Sequence, residues 1–393
     1  MLDIKQRFYR SRAEINLGAI KENLLTIKEK MPSHYGAVAV IKADAYGHGA
    51  VRVAKTIEDS VSAFAVATPT EALELAKNSV KKPIYILGYC DKEFFSDIIE
   101  NEIIPTVFSY DSARELSLVA GSLGKKARIS IKIDTGMSRI GFDTSEESKK
   151  EILKISSLDY IETYGCFTHF STADEESKEF TLEQNRIFSS FVASLEDEGA
   201  HFSVVHASNS AAAMDMPYLH PESPRHRIEV RIGIALYGIY PSDYVSREIA
   251  LTPAMSLKSR IVMIKEVPEG TPIGYGRSFI TNRATRVATL TIGYADGYSR
   301  RLSNKGKVIV KGKLAPIIGN ICMDMCMIDV TDIEAASLLD EVTLMGSDME
   351  YTVSADDIAN IVGTIPYEII ASVGKRVPRV YVNVPTDKES SLT

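Results

Sequence analysis

Short apolar runs rich in β-branched residues recur through the N-terminal two thirds of the chain, and helical spacing follows each of them. The first run, 37–41, precedes a helix predicted at 51–58. Run 64–67 precedes 71–77, and 84–87 precedes 94–99. Run 104–108 leads into 113–123, 127–133 into 147–155, and 161–167 into a long helix at 179–196. Run 202–206 precedes 210–214, and 228–230 closes the series. These runs lack polar alternation, as parallel strands covered on both faces should. Eight strand–helix units within about 240 residues predict an α/β fold, a (β/α)8 TIM-type barrel, with a doubly wound open sheet as the alternative.

After Tyr240-Pro241 the texture changes. Segments 255–265, 286–292, 307–311, 323–330 and 342–345 read as strands with Gly and Pro between them, and only 355–361 and 367–373 read as helices. The reading is a barrel over residues 11–243 and a mostly-β C-terminal domain over 244–393, with no internal repeat.

Composition narrows the class. The chain has 393 residues, 45% hydrophobic and 25% charged, which suits a folded globular protein. Lys and Arg total 45 against 52 Asp and Glu, so the net charge of −7 offers no basic footprint for nucleic acid. The charged N-terminus has no apolar core of a signal peptide, no run approaches the ~20 residues of a spanning helix, and a cytoplasmic protein is expected. Cys322 and Cys326, placed four apart in a strand-like segment, could share a face as half a metal site. No second Cys or His pair completes it, so no metal is expected and the four cysteines read as buried thiols. The polar TDKESSLT at the C-terminus is expected to fray.

Candidate chemistry collects after the barrel strands. Lys42 follows the first strand in AVAVIKADAYGHGA, and in a (β/α)8 barrel catalytic groups sit at that end. AVIK also resembles the ATP-binding strand of protein kinases, but no glycine-rich loop, HRD or DFG accompanies it. Arg139 follows strand five, His169 strand six, and His206, Asn209 and Ser210 strand seven; Arg231 ends strand eight. The Ser210 hydroxyl and the backbone N–H groups of Gly233 and Ile234 suit a phosphate at the barrel's usual phosphate site. A lysine at the mouth plus a phosphate cup suggests pyridoxal phosphate held as a Schiff base. No GxGxxG or GxxxxGK[ST] favours a dinucleotide or P-loop reading.

Along nearly its whole length the chain resembles the alanine racemase family, bacterial fold-type III pyridoxal-phosphate enzymes. The segments that carry the resemblance are AVIKADAYGHG, KIDTGMSRIGF, FTHFSTAD, HASNSAA, RIGIALYG, GYGRSF, TIGYADGYSR, GNICMDMCMIDVT and IPYEI. The resemblance implies a barrel joined to a β domain, with residues 1–10 packing on the latter. It also implies a homodimer whose active sites each combine one barrel with the partner's β domain.

On this resemblance Lys42 is the imine lysine and one base, and Tyr275 is the opposing base supplied by the other subunit. Together they interconvert L- and D-alanine through an external aldimine. Removing a proton from one face and returning one to the other takes two groups, each with its proton affinity brought toward neutrality. Arg231 faces the pyridine nitrogen without protonating it, and His169 orients Arg231. Tyr46, Asn209, Ser210, Gly233, Ile234 and Tyr367 belong to the cofactor's surroundings. Arg139 and the backbone of the partner's Met323 hold the substrate carboxylate. Lys132, seven residues before Arg139, matches a lysine that several relatives carry as a carbamate, an anion able to pin Arg139. Tyr294, Arg300, Ile365 and Tyr367 match the corridor that restricts substrate access, and Asn320 stands where many relatives have arginine. The implied role is supply of D-alanine for peptidoglycan. A broader-specificity racemase and a non-catalytic pyridoxal-phosphate carrier are the alternatives, the latter being single barrels.

Overall fold

A computed structural model describes residues 10–220, 223 and 225–385. Apart from Arg10, the N-terminal segment expected to pack on the β domain lies outside the described residues, as does the TDKESSLT tail. Two compact units are present: Ala19–Ala45 with Gly49–Thr252, and the described residues of Met1–Gly18, Tyr46–His48 and Pro253–Thr393.

The first unit is a closed barrel of eight parallel strands: Gly36–Val40, Ala63–Val66, Ile84–Ile86, Ile104–Val107, Ala127–Lys132, Ile161–Phe167, Val204–His206 and Arg227–Ile232. The last strand pairs back onto the first, with Ala37 opposite Val230 and Val38 opposite Arg231. Ala63–Val66 and Ile104–Val107 are buried throughout, which is why their sequences carry no polar alternation. Helices alternate with the strands, from Ala50–Ile57 to the long Glu179–Asp197. Side-chain caps define several helix starts: Ser109 and Ser145 accept from backbone N–H groups three residues on, and Thr68 forms a capping box with Glu71. Inside the barrel the buried Glu229 accepts from Tyr85 Oη at 3.0 Å and from Arg227 Nη2 at 2.9 Å. Those two bonds offset its desolvation.

The second unit is built on a nine-stranded sheet. Its order is Tyr351–Val353, Glu341–Asp348, Lys307–Val310, Lys313–Ile318, Cys326–Asp329, Thr285–Leu290, Met255–Val267, Ser11–Asn16 and Arg379–Val382. Pairing is antiparallel except between Ser11–Asn16 and Arg379–Val382. A satellite core of Ile273, Val287 and Ile318 packs with Val267, Phe279 and Met327.

Two expectations change. Residues 11–16, assigned from sequence to the barrel segment 11–243, form a strand of the sheet instead. Their alternating burial, with Ala13 and Ile15 inside, is the period-two signature of a strand with one covered face. The strand expected over 323–330 begins only at Cys326. Met323 sits in a turn closed by the Cys322 N–H donating to Met325 O at 2.9 Å, so Cys322 and Cys326 do not share a strand face. Among the described residues no helix is long and apolar enough to cross a membrane.

Candidate active site

The C-terminal ends of the barrel strands bring together Lys42, Lys132, Arg139, His169, His206 and Arg231. Lys42 stands two residues beyond Val40, Lys132 ends its strand, and His169 stands two residues beyond Phe167. Arg231 is buried, and all its terminal donors are used. Nη1 contacts His206 Nδ1 at 2.7 Å and His206 O at 3.1 Å. Nη2 contacts Thr168 O at 3.0 Å, Ala207 O at 2.9 Å and His169 Nδ1 at 3.0 Å. Among the described residues no bond engages its Nε–H. Burial first and Arg139 second lower the Arg231 proton affinity, yet a guanidinium starts so high that it stays a cation at neutral pH.

Burial lowers the proton affinity of Lys42, and Arg139 and Arg231 add to the effect while Glu71 opposes it. The same burial, with Arg231 and Arg139 nearby, brings Lys132 down to about 8. Lys132 Nζ donates to Ile133 O at 2.6 Å and lies 5.5 Å from the centre of the Phe167 ring. Four cationic side chains thus share one barrel mouth on a chain of net charge −7. Such focusing suits an anionic ligand.

Backbone geometry around these cations is specialised. Directly after Lys42, residues Ala43, Asp44, Ala45 and Tyr46 all have φ between 51° and 55°. This left-handed turn costs roughly 1–2 kcal/mol per non-glycine residue. After Lys132, the Asp134 carboxylate gathers the next loop: Oδ1 accepts from Gly136, Met137 and Ser138 N–H at 2.9–3.1 Å, and Oδ2 from Arg139 N–H at 3.2 Å. Gly141, with φ 128°, closes the loop where a Cβ would lie 2.8 Å from Asp134 N. Asn209 caps the helix Ser210–Asp215, accepting from Ala212 N–H at 3.1 Å. The Ser210 hydroxyl accepts from Gly233 N–H at 2.8 Å and Ala235 N–H at 3.4 Å. Between them the buried Ile234 N–H meets no acceptor among the described residues.

The remaining candidates lie in the second unit. Tyr275 is 74% exposed in a tight turn, and Asn320 Nδ2 donates to its carbonyl at 2.7 Å. Tyr294 and Met323 occupy loops tied together by Tyr294 N–H donating to Cys322 O and Ala295 N–H to Met323 O, both at 3.0 Å. The buried Asp296 anchors them, accepting from Gly293 N–H, Arg376 Nε and both terminal nitrogens of Arg10. Arg300 opens a short 3-10 turn, and the exposed Ile365 precedes the helix Pro366–Ala371 that carries Tyr367. Tyr46 is buried, its ring 6.4 Å from that of Tyr367.

Sequence reasoning left three of these groups without a role. Asp134 was legible as an Asx-turn residue in the DTGMS run, since Asp before Gly captures backbone N–H groups. His206 was read among the polar groups after strand seven but without its partner, and Glu71 gave no local signal, because their partners lie in distant segments.

A closed barrel with a cationic mouth, on one chain with a mainly antiparallel sheet unit, defines a two-domain barrel enzyme suited to an anionic ligand. Two family models make that class particular: "Alanine racemase, N-terminal domain" matches residues 15–241 and "Alanine racemase, C-terminal domain" residues 254–381. The chain is 47% identical over 371 residues to the alanine racemase of Clostridium perfringens, covering 94% of each. Its fold matches the alanine racemase structure from Clostridium difficile 630 with TM-score 0.90 and 43% identity over 96% of this chain and 97% of that one. The Bacillus anthracis alanine racemase with bound L-Ala-P gives TM-score 0.88 and 35% identity, covering 96% of both chains. The chain belongs to the alanine racemase family, whose members are pyridoxal-phosphate-dependent isomerases.

Proposed function

We propose that this protein interconverts L-alanine and D-alanine with pyridoxal phosphate, as a cytoplasmic homodimer in which each site joins one barrel to the partner's sheet domain. The observation that carries the reading is Arg231: five acceptors inside the barrel occupy its terminal nitrogens, and its Nε–H remains for a ligand at the mouth. A pyridine nitrogen is an acceptor that guanidinium can bond without giving up its proton. The cationic mouth and the unmatched Ile234 N–H beside Ser210 give the donor set a phosphate needs, so the residues fit the cofactor. When bound, pyridoxal phosphate withdraws electron density from the α-carbon of an attached amino acid and makes its proton removable.

The chain's own residues would then divide the work. Lys42 holds the cofactor and moves a proton on one face, and its lowered proton affinity suits that task. Tyr275 of the partner subunit moves one on the other face. His169 and His206 orient Arg231. Arg139, with the backbone of the partner's Met323, binds the substrate carboxylate. Tyr46, Ser210, Gly233, Ile234 and Tyr367 surround the phosphate, Asn209 belongs to the cofactor's wider surroundings, and Tyr294, Arg300, Ile365 and Tyr367 restrict access. Lys132, neutral for an appreciable fraction of the time near pH 7, adds to carbon dioxide; an N–C bond forms, a proton leaves, and the resulting carbamate pins Arg139. The product D-alanine would supply peptidoglycan. Polarimetry of the purified protein with each enantiomer of alanine and of serine tests the reading. Decay of rotation from either alanine enantiomer supports it, and unchanged rotation with alanine overturns it.

A further inference from the structure

The left-handed turn that follows Lys42 needs something to hold it, since four consecutive non-glycine residues disfavour that conformation. Part of the support is local: Ala45 N–H donates to Ile41 O at 2.9 Å, Gly49 N–H to Asp44 O at 2.9 Å, and Ala50 N–H to Asp44 Oδ1 at 2.7 Å. Further support comes from another element. Glu71 Oε1 accepts the Ala43 N–H at 2.6 Å, at the residue next to Lys42. Its Oε2 accepts Ala67 N–H at 2.8 Å and Thr68 N–H at 3.2 Å.

A capping box needs only the reciprocal bond between Glu71 and Thr68. Here one carboxylate oxygen serves the box and the other reaches across to the loop after the preceding strand. Glu71 therefore couples two adjacent strand ends through backbone bonds, and its charge raises the proton affinity of the Lys42 amine. The other groups with charge or titratable protons facing that amine are Arg139 and Arg231, both cations, and His169, which burial and the surrounding cations keep neutral.

We propose that Glu71 is the positioning residue for Lys42: it clamps the left-handed turn at Ala43 and supplies the negative charge that keeps the amine from being overwhelmed by Arg139 and Arg231. The inference rests on Lys42 being the cofactor-holding lysine. Two consequences separate the clamp from ordinary helix capping. Removing the charge must move the Lys42 titration, because the remaining charged neighbours are cations. Removing the capping hydroxyl alone must not.

The test measures the rate at which pyridoxal phosphate, added to cofactor-depleted protein at a series of pH values, becomes fixed to Lys42 on borohydride reduction, with the labelled peptide mapped. Thermal unfolding is recorded in parallel. Glu71→Gln should shift the apparent pKa of labelling downward, since an anion that raises the lysine's proton affinity is lost. Glu71→Ala should show that shift together with slower labelling at its optimum. Thr68→Ala, which keeps the carboxylate and its backbone bonds, should lower the unfolding temperature and leave the labelling profile where the wild type has it. A Glu71→Gln profile superimposable on wild type overturns the proposal, as does a shift of equal size in Thr68→Ala. Lys42→Ala distinguishes the underlying reading: label that persists in it, on another lysine, contradicts the role of Lys42 and not the geometry of Glu71.

Discussion

Arg231 Nη1 lies 2.7 Å from His206 Nδ1, inside the barrel and away from solvent. Guanidinium can only donate, so Nδ1 accepts and the imidazole proton sits on Nε2. His169 meets Arg231 Nη2 through the same nitrogen. Burial, reinforced by Arg231, holds both imidazoles neutral, and it pushes His220 down to about 4.

These histidines set a pH dependence of stability. Each is protonated near pH 6.5 in the unfolded chain and only at lower pH in the folded one. Unfolding therefore takes up protons below about pH 6.5, and stability falls as pH falls, by roughly 1.4 kcal/mol per pH unit for each such histidine. Urea unfolding at pH 7, 6 and 5 checks this. A free energy that stays flat across that range would contradict neutral burial.

Asp134 holds the loop that presents Arg139 by accepting four backbone N–H groups. Asp134→Ala leaves those donors to water and frees the loop, at roughly 1–2 kcal/mol. The expected signature is a rise in KM for alanine on the order of tenfold, larger than the fall in kcat. Steady-state kinetics in both directions provide the check; a pure kcat loss would assign Asp134 another role.

Lys132 carries a cost that a carbamate would remove. The unfolded lysine protonates near 10.5 and the folded one near 8, so at pH 7 the buried cation destabilises the fold by roughly 3 kcal/mol, an effect that fades as pH rises between those values. Bicarbonate should raise the unfolding temperature of the wild type at pH 8, and Lys132→Ala should not respond. An equal response in both proteins would exclude modification at this residue.

Tyr275→Phe should slow racemisation in both directions by about 10²–10⁴, the range for loss of a general acid–base. The equilibrium constant cannot change. Exchange of the α-proton with solvent should survive better from D-alanine than from L-alanine if Lys42 serves the D side, and equal retention in deuterium oxide would reverse or remove that assignment.

The barrel was legible because parallel strands buried on both faces write themselves as uninterrupted apolar runs, and Ala63–Val66 is such a run. Ser11–Asn16 was not, because a six-residue alternation beside charged residues looks like a surface segment until its sheet neighbours are known. Lys313–Ile318 was hidden by Pro316, which reads as a break although the strand runs through it. At the site, Lys42 and Arg231 declared themselves by ending apolar runs. What holds them did not: Glu71 lies 28 residues from Ala43 and His206 lies 25 from Arg231, and no local pattern links such pairs.

On the proposed mechanism Lys42 and Tyr275 act in one site but come from different chains. Lys42→Ala and Tyr275→Phe proteins, each nearly inactive, can be co-expressed with distinct tags and the mixed dimers isolated along with both parents. A mixed dimer has one site with both native residues and one with neither, so the isolated mixed dimer should recover about half of wild-type activity, and the unsorted mixture about one quarter. If both residues served from the same chain, every site in the mixture would lack one of them and no activity would return.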